Sequence, residues 1–165
     1  MAGSKLERLF LQEKPSRIML VLNSVEKPVY IAKLAKETES TYAHTFRLIS
    51  KLEELGLAIS RDEGRIKLVK LTEIGKALAD ELSTLLRLME LAEVSAAITT
   101  LYEREVKGHL REDIKKETVL TRLEQYGKKL NRLADSKLGI VGELTKKELK
   151  KVDEIIREVK GLIVG

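Results

Sequence analysis

Apolar and polar positions alternate along the chain in three rhythms. The first is helical. In residues 4–13 (SKLERLFLQE), Leu6, Leu9 and Phe10 share one side, which predicts a short amphipathic segment. Pro15 suits the first position of a second helix, where its missing N–H costs nothing, and Ile18, Met19, Val21, Leu22 and Val25 give that helix a buried stripe. The helix ends at the turn EKP, residues 26–28. Val29 and Tyr30 provide one or two residues of strand, and Ile31, Leu34 and Ala35 mark a short helix, IAKLAKE. After the polar turn KETES (36–40), Ser40 or Thr41 can cap another helix that runs to Leu55, with Gly56 as a left-handed C-cap.

The second rhythm has period two. In LAISRDEGRIKLVKLT, Leu57 and Ile59 alternate with Ala58 and Ser60, and Ile66, Leu68 and Lys70 alternate with Lys67 and Val69. A hairpin of about four to six residues per arm is predicted, with Gly64 supplying positive φ in the turn and Thr72 opening the next helix.

The third rhythm is a heptad. Leu78, Leu82, Leu85, Met89, Ala92, Ala96 and Thr99 are spaced alternately four and three apart, enough for a coiled-coil seam. Leu88, Leu91, Ile98 and Leu101 form a second stripe beside it. The seam is read as a homodimer interface, with Leu78, Leu82, Leu85, Met89, Ala92 and Ala96 as its contacts and with Ala97 also allowing close helix approach. The other possibility is that it packs against the last two helices of the same chain. Further on, residues 108–118 predict a bend, residues 119–134 a helix and residues 135–143 (DSKLGIVGE) a connector. Thr145 and Glu148 are placed as a capping box opening the last helix, with Leu144 and Leu149 as its hydrophobic staple.

Composition narrows the function. Of the 165 residues, 43% are apolar and 4% aromatic, so the core is mainly aliphatic. With no cysteine and two histidines (His44 and His109), thiolate chemistry is excluded, and zinc or triad chemistry would lack material. The carboxylates lie in Lys/Glu-rich helical patterns, with no visible set of nucleophile, base and orienting group. No catalytic site, metal or cofactor is expected, although a hydrolase or transferase within residues 100–165 is the remote alternative. Neither a long apolar run nor a signal-peptide pattern is present, and a cytoplasmic protein is expected. Charged residues reach 35% while Asn and Gln number only four, a thermophile-like balance. The formal charge of +5 and pI near 9.3 suit a polyanionic partner, but 31 basic and 26 acidic residues could equally form an ion-paired surface. The basic stretch with Arg122, Lys128, Lys129, Arg132 and Lys137 reads as a solvated helix face.

The order helix, strand, helix, turn, helix, hairpin, helix resembles a winged helix-turn-helix. In that layout LA at 34–35 begins the helix-turn-helix, Ile49 fourteen residues later and then Leu52 anchor the third helix, and EELGL at 53–57 leads into the hairpin. RDEGRIKLVKLTEIGKAL at 61–78 is similar to the wing and following helix of MarR-like regulators, including their LTxxG sequence. TYAHT at 41–45 looks like the opening of a recognition helix in archaeal winged-helix proteins. The resemblance covers residues 15–85 and implies double-stranded DNA as partner, a dimer, and room for a small-molecule effector.

The residues agree with that resemblance. A helix of about 15 residues spans about 22 Å. Thr45, Leu48, Ile49, Leu52 and Leu55 would face the core, leaving Tyr42, Ala43, His44 and Arg47 outward at the end that enters a major groove in helix-turn-helix docking. Arg47 could pair with guanine, Tyr42 and His44 with phosphate or base, and Ala43 with a thymine methyl. Thr41, Lys33, Lys36 and Lys51 would flank them, and Arg61, Arg65 and Lys67 on the wing would reach backbone or minor groove. Phe46 reads as core or a partner contact rather than a base wedge.

The expected protein is therefore mainly α with a small β-hairpin. Residues 1–75 would form a winged helix-turn-helix DNA-binding domain, and residues 76–165 a helical dimerisation extension. The recognition helix would be 41–55 and the wing 60–67. The alternative is a winged-helix adaptor that binds protein in a multi-subunit assembly.

Overall fold

The computed structural model describes residues 12–109, 113–134 and 139–161. Leu6, Leu9, Phe10, Asp135 and Lys137 lie outside them. Contacts divide the chain into two compact units, residues 1–83 and 84–165. The division falls within a helix, several residues beyond the expected 75/76 limit.

The described residues of the first unit begin with α1 (Glu13–Asn23), β1 (Val29–Tyr30), α2 (Ile31–Glu37) and α3 (Tyr42–Glu54). A hairpin follows, β2 (Ala58–Glu63) and β3 (Ile66–Leu71), and then the start of α4 (Glu73–Glu105). Pro15 is the third residue of α1 rather than its first, still within the turn whose N–H groups have no helical partner. The three strands are antiparallel in the order β1-β3-β2. One aliphatic core joins Ile18, Met19 and Leu22 of α1, Ile31 and Leu34 of α2, Leu48, Ile49 and Leu52 of α3, and Ala79 of α4.

The structure decides which face of the hairpin is buried, a choice the alternation leaves open. Val69 and Leu71 of β3 and Ala58 of β2 enter the core, whereas Ile59 and Ile66 are 49% and 48% exposed. The sequence IKLVKL carries apolar residues on both parities, so alternation does not choose between them. Tertiary pairing does: Val29 lies opposite Val69, and Ala58 opposite Leu71.

The junction into α4 explains the LTxxG sequence. Thr72 donates its hydroxyl to the Gly56 carbonyl at 2.8 Å and accepts from the Gly75 N–H at 3.0 Å. Its own N–H donates to the Leu57 carbonyl at 3.0 Å. A Cβ on Gly75 would lie 1.9 Å from that same oxygen. Thr72 thus caps the helix while Gly75 lets it touch the base of the hairpin.

The second unit holds the rest of α4, α5 (Lys116–Ala134) and α6 (Gly139–Lys160). Leu91, Val94, Ile98 and Leu101 of α4 pack with Val119, Leu123, Leu130 and Leu133 of α5 and Val152, Ile155 and Val159 of α6. The last helix starts earlier than its capping signal predicted. Thr145 lies inside α6, fully buried, and donates to the Val141 carbonyl at 2.7 Å. Burial of Val141 explains the longer helix: it adds packing that local cap chemistry does not register. The predicted connector shrinks accordingly, and Glu148 has one buried oxygen without a hydrogen-bond partner among the described residues.

Candidate nucleic-acid interface

The turn between α2 and α3 is tied from three sides. Thr38 is buried and donates its hydroxyl to the Leu34 carbonyl at 2.8 Å. Ser40 N–H donates to the Ala35 carbonyl at 2.8 Å, and Glu39 adopts φ +49°. Lys14 of α1 donates its ammonium to the Thr38 and Glu39 carbonyls at 2.7 and 3.0 Å. A cation here satisfies carbonyls left over at the end of a helix. Sequence reasoning missed Lys14, because nothing local to residue 14 reveals a partner more than twenty residues away.

Thr41 caps α3, accepting the His44 N–H at 3.2 Å. The helix then separates its faces as expected. Thr45, Leu48, Ile49 and Leu52 are buried, and Leu55 packs partly against the same core. Thr41, Tyr42, Ala43, His44, Arg47 and Lys51 are all exposed. Arg47 makes no ion pair among the described residues; its Nε donates weakly to the Ala43 carbonyl at 3.4 Å. Its guanidinium end is left for an external acceptor.

Phe46 is neither core nor solitary. It is 39% exposed, its ring stacks on Tyr42 with centroids 6.4 Å apart, and the Lys67 ammonium lies 5.2 Å from its centroid. Lys67 in turn pairs with Glu53 at 3.5 Å, and Glu53 accepts a hydrogen bond from the Ser60 hydroxyl. This chain of contacts fastens the hairpin to the side of α3.

The expected cations therefore differ in availability. Lys67 is half-buried and engaged with Glu53 and Phe46, and Lys33 pairs with Glu37 at 3.6 Å. Lys36, Lys51, Arg61 and Arg65 are exposed and make no ion pair among the described residues, so Asp62 and Glu63 do not neutralise the wing arginines directly. Arg61 stands opposite Leu68, on the parity that faces away from the core. Arg65 adjoins the turn at Gly64, which takes the expected positive φ of +62°.

On the heptad seam, Leu85 and Met89 are each 53% exposed, and Ala92 and Ala96 are also open. Leu78 instead packs partly on the first unit's core, and Leu82 is half-buried. Among the described residues, Leu85, Met89, Ala92 and Ala96 are thus left open by the helices of their own unit, which use the neighbouring stripe, whereas Thr99 accepts from the Lys151 ammonium of α6 at 2.8 Å. Arg122 of the basic stretch pairs with Glu105 at 2.6 Å, while Lys128, Lys129 and Arg132 are solvated as expected.

No family model matches the sequence. An uncharacterized protein of Archaeoglobus fulgidus is 27% identical over 86 residues, covering 50% of this chain and 90% of that protein. A crystal structure from Archaeoglobus fulgidus, also 27% identical, covers 53% of this chain and 98% of its own, with a TM-score of 0.47. MepR, a transcription regulator of the Staphylococcus aureus multidrug efflux pump MepA, is 22% identical and superposes on 56% of this chain and 70% of its own, with a TM-score of 0.50. The chain carries a winged helix, the fold it shares with MepR. In this winged helix α2 and α3 are the helix-turn-helix, and β2 and β3 are the wing. Among the described residues no helix is long and apolar enough to cross a membrane.

Proposed function

We propose that the protein binds double-stranded DNA sequence-specifically as a homodimeric transcription regulator, with α3 in the major groove and the wing on flanking backbone or minor groove. One observation carries this reading: the first two turns of α3 bury Thr45 and Leu48 yet leave Tyr42, Ala43, His44 and Arg47 exposed. Helix-turn-helix docking brings that end of the helix to base edges. Arg47 would reach guanine, Tyr42 and His44 a base or phosphate, and Thr41, Lys36 and Lys51 the flanking phosphates; Arg65 and Arg61 extend the cationic surface along the wing. Lys33 and Lys67, already paired, contribute less. MepR, a transcription regulator that shares this fold, is a precedent for the role. Dimerisation through the seam from Leu82 to Ala96 would present two recognition helices to half-sites about one helical turn apart.

Mobility shift on random duplex DNA, followed by selection of bound sequences, tests the proposal. Retardation should weaken steeply with salt, by roughly 0.9 log units per log unit for each neutralised phosphate. Arg47→Ala should erase preference for one position of the selected site, a loss of about 1–3 kcal/mol in discrimination. Equal loss on all sequences would assign Arg47 to the backbone. The exposed Tyr42–Phe46 pair favours a second reading, a winged-helix adaptor for protein. Absence of retardation at micromolar protein and low salt would select it.

A further inference from the structure

We infer that Phe46 is a specificity-determining residue that contacts thymine 5-methyl groups, held in place for that task by Tyr42 and the Lys67–Glu53 pair. This rests on the DNA-binding reading. Phe46 lies one helical turn after Tyr42 on the exposed side of α3, next to Arg47. An aromatic ring left 39% exposed on a soluble helix loses apolar burial, and the core beneath is already filled by Leu48, Ile49 and Leu52. The ring is nevertheless fixed. Tyr42 stacks on it at an interplanar angle of 26°, and the Lys67 ammonium stands over it. Glu53 holds Lys67 at 3.5 Å and is itself held by the Ser60 hydroxyl on β2. Four residues from three elements, α3, β2 and β3, thus immobilise one apolar side chain that stays partly open. Such ordering removes the entropy cost of fixing the ring on binding. Among base edges in the major groove, the thymine methyl is the apolar feature, and phenylalanine is a suitable partner for it. Lys67 acts here as a positioning residue, which accounts for a wing cation turned inward onto α3.

The test uses the full chain and a duplex selected from a random library. Each thymine in turn is replaced by deoxyuridine, which removes only the methyl. One such replacement within the α3 footprint should weaken wild-type binding about four-fold, the worth of one buried methyl-sized group. Phe46→Ala should bind the thymine and uracil duplexes equally, and Phe46→Leu should retain part of the difference. Lys67→Met should reduce the difference without abolishing retardation. Circular dichroism confirms that each variant is folded. If wild type and Phe46→Ala lose the same factor on every uracil duplex, or if no thymine matters to wild type, the inference is overturned. Absence of retardation on any duplex overturns the DNA-binding reading itself, an outcome distinct from a missing coupling.

Discussion

Replacing Gly75 by alanine should destabilise the protein, although alanine is the better helix former. Intrinsic propensity favours the substitution by about 1 kcal/mol in a helix interior. The surroundings oppose it. The new Cβ would meet the Leu57 carbonyl oxygen at 1.9 Å, the Leu57 carbonyl carbon at 2.9 Å and the Leu71 Cβ at 3.3 Å. The nearest of these is main chain, so relief requires moving α4 away from the hairpin base by more than an ångström. That movement strains the Thr72–Leu57 and Thr72–Gly56 hydrogen bonds, both at 3.0 Å or less. Two such bonds are worth about 1 kcal/mol each. Overpacking adds about 1–3 kcal/mol. Less the propensity gain, the net loss is about 2–4 kcal/mol, or roughly 5–15 °C in Tm for a chain of this size. Gly127 is the internal control. It also lies within a helix, but a Cβ there meets nothing within 4 Å. Gly127→Ala should therefore stabilise, by about 0.5–1 kcal/mol. Thermal and urea unfolding by circular dichroism read both variants. If Gly75→Ala matches or exceeds wild type, the close approach of α4 to Leu57 is not as described, and the explanation of LTxxG fails with it.

On the proposed seam-paired dimer, Leu85→Lys should yield monomers in light scattering where wild type gives dimers; a variant that remains dimeric places the interface away from the seam. Lys14→Met should lower stability by about 1 kcal/mol through loss of the two carbonyl contacts at the α2–α3 turn, read by urea denaturation, and an unchanged midpoint would deny Lys14 that role. Burial, followed by the charge and hydrogen bond of Glu158, raises the Tyr102 hydroxyl above its ordinary value of 10.0. The neutral phenol is thus favoured in the fold. Its stabilising contribution is complete below the unfolded value and declines as pH rises toward the folded one. The ultraviolet phenolate titration of wild type minus Tyr102→Phe should have its midpoint above 10, and a midpoint at or below 10 would contradict the packing around Tyr102.

The helix-turn-helix was legible because its signals are local. The segment IAKLAKE forms the expected helix, and α3 shows its buried and exposed faces because Thr41 and Gly56 bracket one clear period. The hairpin's extent and its Gly64 turn were local for the same reason. Which face of β3 enters the core was not legible, since Leu68 and Val69 are adjacent and both apolar, and only the pairing with β1 decides. The opening of α6 was not legible because the Thr145–Glu148 spacing mimics a cap, whereas the full burial of Val141, which favours the longer helix, has no local signal. On the site itself, exposure of Tyr42, His44 and Arg47 followed from periodicity. The engagement of Lys67 with Phe46 and Glu53 did not, because residues on opposite elements meet only after the sheet has formed.

The cap on α3 has a practical corollary for mutagenesis. Thr41 accepts one amide, that of His44, and leaves the amides of Tyr42 and Ala43 pointing past the helix end without partners among the described residues. Those two N–H groups belong to the main chain, so a side-chain scan through residues 41–47 is blind to any anion they hold. Proline at position 42 deletes one of them where a helix tolerates proline best. Alongside Tyr42→Ala as the side-chain control, that variant weighs what the peptide backbone adds to a phosphate contact, a share that alanine scanning would silently credit to no residue at all.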